Sequence, residues 1–445
     1  MNNFFSLSDT ICAIATAPGG AIGIVRISGS GAIAAADAIF SRSLHDAPSH
    51  KAILGIVGDH LDEVLVTVFR APHSYTGEDG VEISCHGSSY ILGEVLNLLL
   101  CHGCRLAQPG EFTRRAFANG RMDLSQAEAV ADVIASTNAA NHRIAMNQMR
   151  GGISHELAEM RGQLLRLTSL LELELDFSDH EDLEFADRSE LSALTDELLR
   201  RIARLTDSFR AGNAIKNGIP VAIIGAPNVG KSTLLNALLQ EERAIVSDIR
   251  GTTRDLIEDT ITLGGHTFRF IDTAGIRHTD DAIERLGIER SMQAAERAQI
   301  VILLTEAGVP YSPLAGHGEQ AVIRVMNKCD ASAPTDASAT EADLHISAKH
   351  SQGISLLHER LIAEAQRLTT TDAAIIVTNA RHHTALTAAA ESLRRVSAAL
   401  SLGLSGDLIA QDLRTTLFYL AEITGGEITS DEVLGNIFKN FCIGK

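Results

Sequence analysis

The sequence predicts a multidomain protein in which an α+β amino-terminal domain is followed by a discontinuous α-helical domain, with an α/β domain inserted between the two helical parts. Three observations support this fold class. Short alternating apolar segments with Pro and Gly turns occupy roughly the first 118 residues, proline is absent from 110 to 219 and from 335 to the end, and strand and helix patterns alternate in between. The predicted domains are 1–118, 119–214, 215–370 and 371–445, the second and fourth being parts of one helical domain.

The amino-terminal strands are read from period-two alternation, as in Val64–Val68 and Val81–Cys85. The helical character begins near Asp123, where Ser125 and Glu128 have the spacing of a capping box. Leucines at helical spacing follow, and they need no explanation beyond a helical bundle core.

Four motifs occur in order in the third domain. Residues 225 to 232 read Gly-Ala-Pro-Asn-Val-Gly-Lys-Ser, a complete phosphate-binding loop after a short apolar strand, and downstream lie Asp272–Gly275, Asn327–Asp330 and Ser347–Lys349. Each motif contacts a different part of one nucleotide, so together they predict a P-loop GTPase domain.

Each residue type suits its part of the nucleotide. Backbone N–H groups of the loop and the helix amino terminus meet the phosphates, Lys231 adds a positive charge, and the Ser232 hydroxyl is placed to ligate Mg²⁺ together with Thr253 and, through water, Asp272. The Asp330 carboxylate accepts two guanine N–H donors that adenine does not offer together. The predicted GTP-binding residues are Asn228, Val229, Gly230, Lys231, Ser232, Thr233, Ser247, Asp248, Ile249, Arg250, Gly251, Thr252, Thr253, Asp272, Thr273, Ala274, Gly275, Asn327, Lys328, Asp330, Ser347 and Ala348.

The water-positioning residue departs from the Ras-like pattern. Ile276 follows the Asp-Thr-Ala-Gly motif, where Ras-like enzymes have a glutamine. Glu284 is the nearest plausible carboxylate, although an exposed helical glutamate describes it equally well.

Composition limits the remaining possibilities. With 45% hydrophobic residues, six scattered cysteines and no apolar run long enough to span a bilayer, we expect a cytoplasmic protein with reduced thiols and no membrane partner. The formal charge of −18 disfavours broad contact with nucleic acid, so tRNA would have to meet a local basic patch or a second protein. Cys101 and Cys104 are interpreted as structural, and the acidic segment 176–184 as a solvated connection that could alternatively chelate a cation.

Outside the GTPase motifs, three stretches closely resemble the bacterial tRNA modification GTPases called MnmE or TrmE. They are Ser74–Asp79 with Val81–Gly87, Pro109–Phe117 with Asp123–Ala129, and the terminal Phe441–Lys445. The resemblance spans essentially the whole chain. It implies a folate-binding amino-terminal domain that forms a homodimer, and a GTPase domain inserted into a helical domain.

The resemblance also implies an activity. With an FAD flavoprotein partner of the MnmG type, in a heterotetramer or larger complex, C5 of the wobble uridine (position 34) of tRNA would acquire an aminomethyl or carboxymethylaminomethyl group, with 5-formyl- or 5,10-methylene-tetrahydrofolate as the one-carbon donor. Further site residues carried over by resemblance are folate contacts at Arg26, Glu82, Arg121 (where lysine is usual) and Lys445, a K⁺ site at Asn228, Ser247, Ile249 and Thr252, and catalytic roles for Glu284 and Cys442.

Several alternatives stay open from the sequence. Cys442 is also compatible with a buried structural thiol. Arg114, Arg115, Arg121, Arg143 and Arg150 form either a positive stripe for tRNA or scattered solvated charges. A regulatory or ribosome-assembly GTPase would carry the same four motifs, whereas a P-loop kinase is disfavoured by Asn327–Asp330.

Overall fold

The computed structural model describes residues 9–176, 188–243, 259–271, 293–307, 309, 311, 320–330, 342–370, 373–426 and 444. The chain divides into two compact units. One comprises Met1–Ile134, Met146–Phe185 and Leu413–Lys445, and the other Ala135–Ala145 and Ala186–Asp412. The domain boundaries expected from the sequence stay predictions.

The first unit contains a mixed six-stranded sheet within its described residues, in the order β3-β4-β5-β2-β1-β6. All neighbouring strands are antiparallel except β1 and β6, which are parallel. The strands are β1 Ile11–Ile14, β2 Ile22–Ser28, β3 Ala52–Val57, β4 Asp62–Phe69, β5 Gly80–His86 and β6 Arg105–Leu106. As predicted, the alternating segments Val64–Val68 and Val81–Cys85 are strands, and their apolar side chains enter one core with helices α1 Ala32–Asp37 and α2 Ser89–Cys101.

The helices that follow confirm the predicted helical region. They are α3 Glu111–Ala118, α4 Leu124–Ala135, α5 Ala139–Met149, α6 Gly152–Asp176 and α7 Arg188–Asn217, and α10 Ala380–Ser401 and α11 Gly406–Thr424 belong to the second helical stretch. The capping box at the start of α4 is displaced from its predicted place. Asp123 accepts from the Gln126 backbone N–H, and the Gln126 side chain accepts from the Asp123 N–H, so Asp123 and Gln126 form it rather than Ser125 and Glu128.

The second unit is built on a sheet whose order within the described residues is β12-β11-β10-β7-β9-β8, parallel except for β8 against β9. Its strands are β7 Ile219–Ile224, β8 Asp259–Leu263, β9 His266–Phe270, β10 Ile300–Glu306, β11 Ala321–Asn327 and β12 Leu344–His345. Every residue of β7 is buried because the strand is central in the sheet, and helices α8 Lys231–Arg243 and α9 Ile354–Thr369 complete the core. The predicted multidomain α+β, helical and α/β fold class is confirmed.

A single residue, Gly218, separates helix α7 from strand β7. The helix packs against α10 in the same unit. The segment before α10 approaches α7 closely at Gly212, where a Cβ atom would lie 2.1 Å from the carbonyl oxygen of Val377. The Ser208 hydroxyl accepts a 3.0 Å hydrogen bond from the Val377 N–H. Glycine is therefore required where these two segments meet.

No helix in the described ranges is long and apolar enough to cross a membrane. Nor do these ranges hold a group of three or more His, Cys, Asp or Glu side chains that could bind a metal ion. Cys104 is buried, as expected for a structural thiol, but Cys101 at the end of α2 is exposed. The acidic segment from 177 to 184 lies outside the described residues.

Candidate functional site

The loop of residues 225–230 follows the buried strand β7 and leads into α8. Gly225 lies so close to β10 that a Cβ atom would come within 2.2 Å of the Leu304 carbonyl oxygen. Gly230 has φ +99°, and a Cβ atom there would be 2.3 Å from Nδ2 of Asn327. Both ends of the loop therefore need glycine, which leaves a narrow backbone cradle before the helix.

Lys231 is folded back over this loop. Its Nζ donates hydrogen bonds to the carbonyl oxygens of Gly225, at 2.8 Å, and Ala226, at 2.9 Å. Burial lowers the pKa of this ammonium group because charge is less well solvated there. An anionic ligand bound in the loop would stabilise the charged form of the Lys231 ammonium group and raise its pKa again.

The other described residues of the loop lie around the amino terminus of α8. Val229 is buried, Asn228 is exposed with φ +62°, and Ser232 and Thr233 occupy the first helical turn. The first backbone N–H groups of a helix have no intrahelical partner and attract phosphate oxygens. The structure thus brings Asn228, Val229, Gly230, Lys231, Ser232 and Thr233 together at one helix amino terminus, and their predicted contacts with GTP stay predictions.

Asn327 joins this loop to a second loop. It is 4% exposed at the end of β11, and its Nδ2 donates to the Val229 carbonyl at 2.8 Å. Its Oδ1 accepts from the Ala348 N–H at 3.0 Å. One buried amide therefore fixes the distance between the phosphate loop and the loop after β12. The sequence motif identified Asn327 but not this double contact.

The Asp330 carboxylate is oriented by the same second loop. Its Oδ1 accepts a 2.6 Å hydrogen bond from the buried Ser347 hydroxyl. That bond is the main cause that lowers the pKa of Asp330, with a smaller contribution from the nearby charges of His350 and Lys349. The carboxylate is therefore ionised at neutral pH and exposed, as a partner for two N–H donors must be.

Lys328, the second residue of the Asn-Lys-Cys-Asp motif, has φ +63° and forms an ion pair with Glu306 at the end of β10. Sequence reasoning missed Glu306, although its place at the carboxyl end of a strand beside β7 and β11 is a usable signal. Because β7, β10 and β11 are adjacent and parallel, their carboxyl ends bring these loops to one edge of the sheet.

Part of the predicted constellation lies outside the described residues. This applies to Ser247, Asp248, Ile249, Arg250, Gly251, Thr252, Thr253, Asp272, Thr273, Ala274, Gly275, Glu284, Cys442 and Lys445. Their predicted roles stay predictions.

In the first unit, two of the residues expected to contact folate face each other. The antiparallel register of β2 and β5 pairs Arg26 with Glu82, and the Arg26 NH2 lies 2.7 Å from Glu82 Oε1. The guanidinium also lies over the rings of Tyr75 and Phe112, at 5.4 and 5.8 Å from their centroids. Its NH1 donates to the Gly444 carbonyl at 3.1 Å, so Gly444 is held at this pair.

Arg26, Glu82, Tyr75 and Phe112 line a small open cleft between β2, β5 and the segment 74–76. Hydrogen bonds fasten the segment to α3 and to Asn119, the residue after α3. The Tyr75 hydroxyl and the Thr113 hydroxyl are 2.8 Å apart, and the Asn119 amide donates to the Thr76 carbonyl at 2.8 Å. The cleft wall is thus held by side-chain hydrogen bonds.

The position of Arg115 differs from both alternatives that the sequence left open for the arginines of this region. Its side chain is 0% exposed and pairs with Glu78 at 3.1 Å and Glu111 at 3.2 Å, so it is neither part of a positive stripe for tRNA nor a solvated charge. Burial alone would raise the pKa of Glu111, but hydrogen bonds from Arg105 and the Gln108 N–H, together with both arginine charges, lower it. Sequence reasoning missed this network because a buried arginine and a surface arginine look alike in a helix pattern.

Arg121, by contrast, is exposed, and its side-chain stem lies along Gly77, where an added Cβ would be 3.1 Å from Arg121 Cγ. Gly77 belongs to the same turn as the cleft segment. Arg121 is therefore near this wall of the cleft.

The second unit has a mostly parallel sheet. One of its strands leads into the glycine-rich loop that contains Lys231, and another leads into the Asn-Lys-Cys-Asp turn. These features define the class of P-loop GTPases. Two family models match the chain, the MnmE helical domain over residues 124–442 and the GTP-binding protein TrmE N-terminus over residues 10–121. The chain belongs to the MnmE family of tRNA modification GTPases.

Curated relatives match over nearly their full length. The tRNA modification GTPase MnmE of Parabacteroides distasonis is 56% identical over 460 residues, covering 98% of this chain and 100% of the relative. Those of Bacteroides thetaiotaomicron and Flavobacterium psychrophilum are 52% and 47% identical, each covering 98% of this chain and 99% of the relative. The predicted family resemblance and the predicted GTPase class of enzyme are confirmed, and with them tRNA modification as the setting of the activity.

Among solved structures, the FeoB G-domain from Methanococcus jannaschii is 22% identical with a TM-score of 0.23, and covers 33% of this chain and 98% of its own. Elongation factor SelB from Methanococcus maripaludis, in complex with the GTP analogue GppNHp, is 18% identical with a TM-score of 0.26, covering 35% and 34%.

Proposed function

We propose that GTP binds at the edge of the second unit's sheet, with its phosphates in the loop 225–230 and its base at Asp330. The observation that carries this assignment is the buried Asn327 amide, which ties the phosphate loop to the loop after β12, where Ser347 orients the Asp330 carboxylate. A guanine base offers two adjacent N–H donors to the carboxylate and a carbonyl to a backbone N–H near Ala348, whose own N–H donates to Asn327. Adenine lacks this combination, so GTP is selected over ATP.

The ion sites follow from the same loop. Ser232 begins α8 directly after Lys231, so its hydroxyl would hold Mg²⁺ together with Thr253, with Asp272 acting through water. Asn228 is exposed in the loop and has a left-handed backbone conformation. It would hold K⁺ with Ser247, Ile249 and Thr252. The bound K⁺ would supply the positive charge that an arginine finger supplies elsewhere, while Glu284 positions the attacking water.

We propose that the cleft around Arg26 and Glu82 takes a reduced folate, 5-formyl- or 5,10-methylene-tetrahydrofolate. The paired cation and carboxylate offer donors and acceptors to a pterin edge, and the partly exposed Tyr75 ring offers a flat apolar surface, with the buried Phe112 ring behind the guanidinium. Arg121 and Lys445 would meet the anionic glutamate tail. The folate would supply the one-carbon unit of the modification.

The full activity that we propose is installation of an aminomethyl or carboxymethylaminomethyl group at C5 of the wobble uridine, position 34, of certain tRNAs. The chain would act as a homodimer through residues 1–118, with a flavoprotein of the MnmG type that carries FAD. Cys442 would act near the folate, because Gly444 is held by Arg26. GTP hydrolysis would reset the arrangement of the two GTPase domains.

Two binding measurements on the full chain test these assignments separately. For GTP, Asp330→Asn is expected to weaken guanine-nucleotide affinity at least tenfold and to relax discrimination against other purines, and a retained GTP preference would contradict the base-reading role. For folate, calorimetric titration with 5-formyl-tetrahydrofolate is expected to show saturable binding that Glu82→Ala removes. Absence of binding to the unsubstituted protein would refute the folate site.

A further inference from the structure

A histidine lies beside the carboxylate assigned to guanine recognition. His350 Nε2 is 3.5 Å from Asp330 Oδ2, while Oδ1 of the same carboxylate accepts from Ser347. The His350 N–H donates to the Ser347 carbonyl at 3.2 Å, which holds the histidine backbone on the same turn. Both carboxylate oxygens therefore have a partner before any nucleotide is considered.

Ser347 and His350, the two partners of the Asp330 carboxylate, differ in whether they leave room for a bound base. The Ser347 hydroxyl supports the carboxylate from a buried position, and an oxygen with two lone pairs can accept from it and from a base together. The His350 side chain is 51% exposed and stands on the open side of Oδ2. A guanine that uses both oxygens must meet the imidazole there.

Three further charged or titratable side chains in the described residues surround this carboxylate. Lys349 lies near Asp330, and Lys328 is paired with Glu306. Burial raises the pKa of the Cys329 thiol, so it stays neutral. Histidine is the residue type that changes charge between about pH 5 and 8.

We propose that His350 sets the affinity of the guanine subsite, because its imidazolium form competes with the base for Asp330 Oδ2. The inference rests on the proposed GTP site, and goes beyond it by naming a residue that makes nucleotide binding fall as pH falls. The competing contact is a partly exposed ion pair. Contacts of this kind change an equilibrium by roughly two- to fivefold.

The test is a fluorescence titration of the full-length protein with N-methylanthraniloyl-GDP, in Mg²⁺ and K⁺ buffer, from pH 6.0 to 8.5. Three proteins are compared: the unsubstituted chain, His350→Ala, and the matched control His345→Ala, an exposed histidine in β12. Because protonation of the nucleotide phosphates affects all three alike, the ratio of dissociation constants isolates the side chain.

We expect the dissociation constant of the unsubstituted chain, divided by that of His350→Ala, to rise by roughly two- to fivefold from pH 8.5 to pH 6.0. His345→Ala is expected to follow the unsubstituted chain. A constant ratio across this range, or a ratio that falls towards pH 6.0, would overturn the proposal. Failure of the unsubstituted chain to bind the probe at any pH would instead refute the proposed GTP site, and the inference with it.

Discussion

Substitution of Asn327 by alanine tests whether its side-chain amide holds the phosphate loop 225–230 and the loop after β12 together. The change removes a donor from the Val229 carbonyl and an acceptor from the Ala348 N–H, and both of those residues are buried, at 1% and 4% exposure. A buried backbone group left without its partner costs about 1–3 kcal/mol. With partial relaxation of the loops, we expect the local opening free energy around them to fall by about 2–4 kcal/mol.

Amide hydrogen exchange followed by mass spectrometry suits this question, because a chain of several domains does not unfold in one step. Peptides covering 225–230 and 346–348 should exchange roughly 30- to 700-fold faster in Asn327→Ala, the equivalent of the expected loss. The internal control is the sheet of the first unit, where exchange should not change. Asn217→Ala, an exposed asparagine at the end of α7, is the matched control and should leave both loops protected.

Nucleotide affinity provides the second readout for the same variant. If the amide positions the loops for GTP, binding of N-methylanthraniloyl-GDP should weaken along with the loss of protection. An exchange rate within about threefold of the unsubstituted protein, with unchanged affinity, would show that the two loops are held by other contacts and would refute the reasoning.

Three further predictions concern the buried network of the first unit, the hydrolysis step and the bound cation. Arg115→Met should destabilise the first unit by about 3–5 kcal/mol, because it leaves the carboxylates of Glu78 and Glu111 without their shared buried partner. Amide hydrogen exchange of peptides from the sheet of the first unit checks this, and a change no larger than that of the half-buried neighbour in Arg114→Met would contradict it. Glu284→Ala should reduce GTP turnover about 100-fold or more while the nucleotide dissociation constant stays within about twofold, since the side chain is assigned to water. Turnover in KCl should exceed that in NaCl at equal ionic strength, and equal rates would remove K⁺ from the mechanism.

The nucleotide motifs could be located from the sequence because each is a short contiguous segment whose conformation depends mainly on its own residues. A strand followed by a glycine-rich turn and a helix generates the cradle of residues 225–230 wherever it occurs. The helical stretches were equally accessible, since absence of proline and regular leucine spacing are local properties. The start of α4 was misjudged because Asp123 and Gln126 satisfy the capping pattern as well as Ser125 and Glu128 do, and side-chain geometry chose between them.

The pairing of distant groups was beyond a one-dimensional pattern. Arg26 and Glu82 were named only by resemblance, and it is the register of β2 against β5 that makes them partners. The approach of His350 to Asp330 likewise depends on how the loop after β12 folds over the end of β11. Strand register and loop packing depend on contacts between segments far apart in the chain.

By itself the sequence determined which chemistry the chain can perform, because the residue types and their spacing in Gly225–Ser232, Asn327–Asp330 and Ser347–Lys349 match the phosphates and base of GTP. The tertiary structure alone decided the surroundings of each charge. It buried Arg115 between two carboxylates, left Arg121 in solvent, and made the Asn327 amide a bridge between two loops. The physical reason is that desolvation and hydrogen-bond geometry depend on neighbours in space, and the sequence lists only neighbours along the chain.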